Sequence, residues 1–130
     1  MSERIYCICP VRHIEAKKRK EILGQVRIWE SLGHEVRCPL RETDCDQNLC
    51  GVDICQIHRD DVKWSTVCAV WWKGDSQGKY FDLGMAFALH KRIWLMDRPK
   101  RTEYKSFSNV LWKISNQQGH VNTSVSENNR

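Results

Sequence analysis

The sequence predicts an α/β fold: a doubly wound parallel sheet, Rossmann-like or flavodoxin-like, of about four to five strands with helices on both faces. Three observations point there. Short β-prone apolar runs alternate with stretches of helical period along the chain. The strand candidates are apolar on both sides, as strands buried between two helix layers must be. The length of 130 residues suits one domain with a single core.

Taken in order, residues 4 to 9 (RIYCIC) are a β-prone run closed by Pro10. From His13 to Leu32, the residues Ile22, Val26, Trp29 and Leu32 fall three or four apart and share one helix face. Gly33 is a stop signal, and HEVRC at 34 to 38 resumes an extended pattern that Pro39 ends. Residues 40 to 51 are polar and unpatterned, which predicts a loop. A helix over Val52 to Ser65 would place Ile54, Ile57, His58 and Val62 near one face. VCAVWWK at 67 to 73 reads as a buried strand, GDSQG at 74 to 78 as a turn, and Tyr80 to His90 as a helix. RIWLM at 92 to 96 is another strand and Tyr104 to Ile114 a last helix. Residues 1 to 115 are therefore expected to form the domain and 116 to 130 a polar, flexible tail.

Composition narrows the function. Hydrophobic residues make up 41% and charged residues 28%, which excludes a wholly disordered chain. No run approaches the roughly 18 apolar residues of a membrane span, so no membrane partner is expected. The N-terminal MSERIYCICPVRH lacks the pattern of a secretory signal, and seven cysteines, an odd number, argue against a disulfide framework. A reducing, cytoplasmic location is the expectation. Cys45, Cys50 and Cys55 recur every five residues with His58 behind them, a spacing that does not repeat the paired grouping of structural zinc sites; neither a metal nor a cofactor is expected. The net charge of +5 is compatible with anionic ligands. AKKRK at 16 to 20 reads as a solvated helix face, and no nucleic-acid motif is present, so nucleic acid is not the expected partner. Most of the six Trp should be core.

In a doubly wound sheet, ligands bind beyond the C-terminal strand ends, beside the switch in strand order. Cys9 to His13, Lys73 to Asp82 and the loop after Cys38 should meet there. The turn before the 80–90 helix offers backbone N–H groups, the Ser76 hydroxyl and a helix N-terminus, which suit an anionic group, and Gly78 permits close approach. Its spacing is neither GxxxxGK[ST] nor GxGxxG. Asp82, in the first turn of that helix, is either a solvated charge at a helix start or a carboxylate aimed into the cleft. Asp60 or Asp61 could supply a second acid.

Four segments carry a resemblance: IYCICPVR, GHEV ahead of Pro39, RDDVKW, and DSQGKYFDLGMAFALHKRI. Over about residues 4 to 99 the chain resembles the nucleoside 2-deoxyribosyltransferase superfamily, and within it the small deoxynucleoside 5'-monophosphate N-glycosidases. The resemblance implies that Asp82 is the carboxylate that attacks the anomeric carbon, and that Asp61 is the acid near the leaving base. It also implies that Ser76 and Gly78 form the turn holding a 5'-phosphate, with Arg12 helping to neutralise it, and that Tyr6 lies at the edge of the sugar or base pocket. The family nucleophile is usually Glu, and Asp82 is shorter by one methylene. Cys9 and Pro10 stand where Gly or Ser is common. The expected function is hydrolysis of the base–sugar bond of a (deoxy)nucleoside 5'-monophosphate, or transfer of the deoxyribosyl group; Trp71 or Trp72 could stack on the base. The alternative is a catalytically inactive nucleotide sensor of the same fold. The resemblance further implies a homodimer, for which the helix bearing Trp112 is one candidate surface, packing of Trp112 inside its own domain being the equal alternative.

Overall fold

The computed structural model describes residues 2–42, 50–74 and 76–117. Its elements run β1 (Arg4–Ile8), α1 (Ala16–Ser31), β2 (Glu35–Arg37), α2 (Pro39–Glu42), α3 (Gly51–Trp64), β3 (Val67–Val70), α4 (Gly78–Ala88), β4 (Arg92–Leu95) and α5 (Phe107–Gln117). Among the described residues, the strands form one all-parallel sheet in the order β2-β1-β3-β4. The chain thus moves outward from β1 to β2, then crosses back to β3, which sets the switch point between β1 and β3.

Alternation along each strand divides the core into two halves. Ile5, Cys7, Val67, Ala69 and Trp94 face one side, where Ile22, Val26 and Trp29 of α1 and Leu40 of α2 cover them. Trp29 meets the rings of Trp71 and Trp94 at centroid distances of 5.9 Å. Tyr6, Ile8, Cys68, Val70, Ile93 and Leu95 face the other side, under Val62 of α3, Leu83 and Ala86 of α4 and Leu111 of α5. Each buried Val, Leu or Ile side chain contributes about 1.5–3 kcal/mol on leaving water.

Several boundaries differ from the expectation for physical reasons. His13 has a φ of 56°, so the helix begins at Ala16 rather than at His13. Pro39 does not merely end β2; it opens the short helix α2, since a fixed φ and a missing N–H cost nothing at a first helical position. The rest of the 40–51 loop, with Cys45, lies outside the described residues between 43 and 49. β3 ends at Val70, and Trp71 and Trp72 continue as buried, non-strand backbone. Helix α4 starts at Gly78, two residues early, so Asp82 sits in its second turn and not its first. Helix α5 runs from Phe107 through Gln117, past the expected domain limit at 115.

The C-terminal edge of the sheet is fastened by polar contacts. Asp97, 5% exposed, accepts hydrogen bonds from the backbone N–H groups of Trp72 (3.0 Å) and Lys73 (2.9 Å). Gly74 follows with φ +116°, a conformation that favours glycine, and a Cβ built there would touch Pro10 Cγ at 3.9 Å. The loops after β1 and β3 are therefore neighbours. At the opposite edge, Lys91 Nζ donates to the carbonyls of Lys63 and Ser65, where the C-terminal end of α3 favours a cation.

Candidate active site

Asp82 projects from α4 toward the sheet and is 7% exposed. Its Oδ2 accepts a hydrogen bond from the Tyr6 hydroxyl at 3.0 Å and lies 3.3 Å from Nδ1 of His58. Three elements thus converge on one carboxylate: β1 supplies Tyr6, α3 supplies His58 and α4 supplies Asp82. The helical period explains the last two. Asp82, Leu83 and Ala86 occupy the inner face of α4, and His58 stands one turn before Val62 on the inner face of α3. Tyr6 is fully buried and tilts its ring 52° to that of His58 at 6.0 Å. Burial pushes its phenol far above the usual range, and the Asp82 charge and hydrogen bond push it further, so it remains a donor.

Asp61, one turn beyond His58 on α3, pairs instead with Arg37 Nη1 at 2.9 Å. The Arg37 guanidinium also stacks over the Trp64 ring at 4.1 Å. Asp61 and Asp82 therefore flank Tyr6 without bonding to one another, and the charges of both raise the phenol.

Ser76 and Gly78 lie at the turn into α4. A cavity of ≈ 330 Å³ opens there, lined by Gly74, Ser76, Gln77, Lys79 and Tyr80. Lys79 is 6% exposed; its ammonium donates to the carbonyls of Trp72 and Gly74 and rides over the rings of Trp72 (4.7 Å) and Tyr80 (5.5 Å). A cation, a hydroxyl and a helix start at one cavity make it favourable for an anionic group. A second, apolar cavity of ≈ 220 Å³ lies between α4 and α5, bordered by Tyr80, Leu83, Phe87 and Phe107 among others. Arg12 is exposed in the turn after β1, and no hydrogen bond or ion pair ties it to Asp82, Ser76 or Gly78.

One expectation needs correction and one open alternative is decided. Trp71 and Trp72 are 2% and 5% exposed, packed on opposite faces of the sheet, and present no free ring for stacking. Tyr80, 45% exposed at the turn cavity, is the ring so placed. Trp112 packs within its own domain: Nε1 donates to the Pro99 carbonyl at 2.7 Å, and Arg98 and Arg101 stack on its ring.

Sequence reasoning missed His58 as a partner of Asp82, Lys79 at the cavity, Arg37 on Asp61, and Asp97. Only His58 left a usable signal, sharing a helical face with Asp61 three residues on. Lys79 left none, because a strand-to-helix turn does not reveal which way its side chains point.

Cys7, Cys9 and Cys38 cluster beside the site at the ends of β1 and β2. Hydrogen bonds from the Cys7 and Cys9 thiols, with the amides of Leu40 and Arg41, draw the Cys38 thiol well below its usual range; the same bond to Cys38, together with burial, drives Cys9 up. Among the described residues, no group of three or more His, Cys, Asp and Glu is placed to hold a metal ion, and no helix is long and apolar enough to cross a membrane.

No family model matches the chain, and no curated protein sequence matches it. Solved structures do. The chain is similar to the CMP N-glycosidase BcmB of Clostridium botulinum, with a TM-score of 0.63 at 19% identity over 92% of this chain and 84% of that one. It is similar to a 2-deoxyribosyltransferase of Bacillus psychrosaccharolyticus, with a TM-score of 0.62 at 17% identity over 83% and 90%. A 2-deoxyribosyltransferase of Leishmania mexicana gives 0.57 at 19% identity over 76% and 67%. The all-parallel α/β fold is thus one shared with these proteins.

Proposed function

We propose that this chain is an N-glycosidase of the nucleoside 2-deoxyribosyltransferase superfamily, cleaving the base–sugar bond of a (deoxy)nucleoside 5'-monophosphate. The observation that carries the reading is the buried Asp82 carboxylate, whose Oδ2 accepts a hydrogen bond from Tyr6 and lies 3.3 Å from His58 Nδ1, on the helix whose first turn borders the cavity. The resemblance over residues 4 to 99 and the shared fold support it.

The chemistry follows from charge. As the bond between C1' and the base nitrogen stretches, positive charge develops on the sugar, and a carboxylate beneath C1' stabilises it. Asp82 then forms a bond to C1' while the base departs with the electron pair and takes up a proton. Asp61 is the acid assigned to that proton, from a position where Arg37 holds it. In the second step water attacks C1' and gives a proton to Asp61, while the bond from C1' to Asp82 breaks and frees the carboxylate; an acceptor base in place of water would make the reaction a transfer. Ser76, Gly78 and Lys79 are assigned to the 5'-phosphate, with Arg12 assigned to help neutralise it and Tyr80 offered to the base. That phosphate subsite is why hydrolysis of a monophosphate is preferred over transfer between nucleosides. The reading includes a homodimer in the cytoplasm.

A second reading, a nucleotide sensor without turnover, has one observation in its favour: Asp82 is only 7% exposed and does not line the cavity at the turn. Chromatographic assay of base release over a panel of ribo- and deoxyribonucleoside monophosphates separates the two. Release that Asp82→Asn abolishes supports the enzyme. Binding by calorimetry without release supports the sensor.

A further inference from the structure

We infer that His58 is a positioning residue for Asp82: with the Tyr6 hydroxyl it holds Oδ2 in place and so leaves Oδ1 for the reacting carbon. The inference rests on the reading of Asp82 given above.

Both contacts reach the same oxygen, at 3.3 Å from His58 Nδ1 and 3.0 Å from the Tyr6 hydroxyl. Oδ1 accepts no hydrogen bond among the described residues. The Asp82 side chain keeps 10% of its surface exposed. Tyr6 comes from β1 and His58 from α3, so two separate elements bear on the carboxylate and fix its rotation better than one can. Nε2 of His58, by contrast, is sealed and without a hydrogen-bond partner.

That asymmetry assigns the proton. On Nδ1 it serves the carboxylate and leaves Nε2 with a buried lone pair. On Nε2 it would be a buried N–H without an acceptor, while the bare Nδ1 faced the lone pairs of Oδ2. An Asp nucleophile, one methylene shorter than Glu, has less reach with which to correct a misdirected oxygen, so a second donor matters more for it.

The test compares His58→Leu, which keeps bulk without a donor, with His58→Asn, whose amide N–H can approach the place of Nδ1–H. Loss of orientation should lower kcat for base release about a hundredfold in His58→Leu with KM within about twofold, and His58→Asn should recover about tenfold of that loss. Equal loss in both variants, or an effect confined to KM, overturns the inference. A second readout is independent of turnover: nitrogen-15 NMR of the imidazole should show Nδ1 protonated in the unmodified protein and a changed pattern in Asp82→Ala. A proton on Nε2, or a pattern indifferent to Asp82, overturns the inference even where base is released. If no nucleotide is cleaved, the functional reading fails, and the NMR pattern by itself still upholds or refutes the clamp on Oδ2.

Discussion

Tyr6 and Asp82, 76 positions apart in the chain, meet through a buried 3.0 Å hydrogen bond. It joins the middle of the first strand to the second turn of the helix after the third, across the switch point where this architecture places its ligands. Removing the hydroxyl in Tyr6→Phe keeps the ring's packing and deprives the carboxylate of a donor. The expected cost is about 2 kcal/mol in urea unfolding at neutral pH, the range for a hydrogen bond to a charged group. The sign of the alkaline dependence follows from the raised phenol. Below the ordinary value of 10.0 both states are protonated; above it the unfolded chain ionises while the folded one keeps its proton, so stability falls as pH rises. The gap between the unmodified protein and Tyr6→Phe should therefore shrink above pH 10.0. A gap constant with pH would contradict this account of the phenol.

Asp97 accepts two backbone N–H groups and is nearly sealed from solvent. Asp97→Ala leaves both donors without a partner, and the expected destabilisation is about 3 kcal/mol. Asp97→Asn retains one acceptor oxygen and should lose about half as much. Equilibrium unfolding of both variants measures this; equal stability in all three proteins would show that the donors find other partners.

The Arg37–Asp61 pair separates a structural role from a chemical one. Arg37 is 41% exposed in its side chain, so the pair contributes at most about 1 kcal/mol, and Arg37→Met should shift stability by no more than that. Asp61→Asn should lower kcat for base release about a hundredfold if this carboxyl protonates the leaving base. Unchanged kcat in Asp61→Asn would leave Asp61 as an ion-pair partner alone.

The architecture was legible because parallel sheets announce themselves: VCAV and RIWL are apolar on both faces, and Ile22, Val26 and Trp29 recur at helical spacing. Asp82 and Asp61 were marked by the family resemblance, and Ser76 and Gly78 by turn chemistry as well. Pairing was not legible. That Asp82 binds Tyr6 and His58 while Asp61 binds Arg37 depends on how α3 rolls against α4, which one sequence does not encode in its periodicity. The burial of Trp72 and of Lys79 escaped notice for a related reason. Trp72 lies just past the end of β3 and Lys79 in the first turn of α4, and at such element ends neither the period of two nor that of 3.6 predicts direction.

The most direct measurement is chromatographic base release by the purified chain from each nucleoside monophosphate, run beside Asp82→Asn. That substitution removes the negative charge and leaves volume nearly unchanged. The account predicts liberated base and sugar phosphate from at least one monophosphate, with release by Asp82→Asn reduced at least about a thousandfold. Equal release by the two proteins, or none from any nucleotide by the unmodified chain, would contradict it.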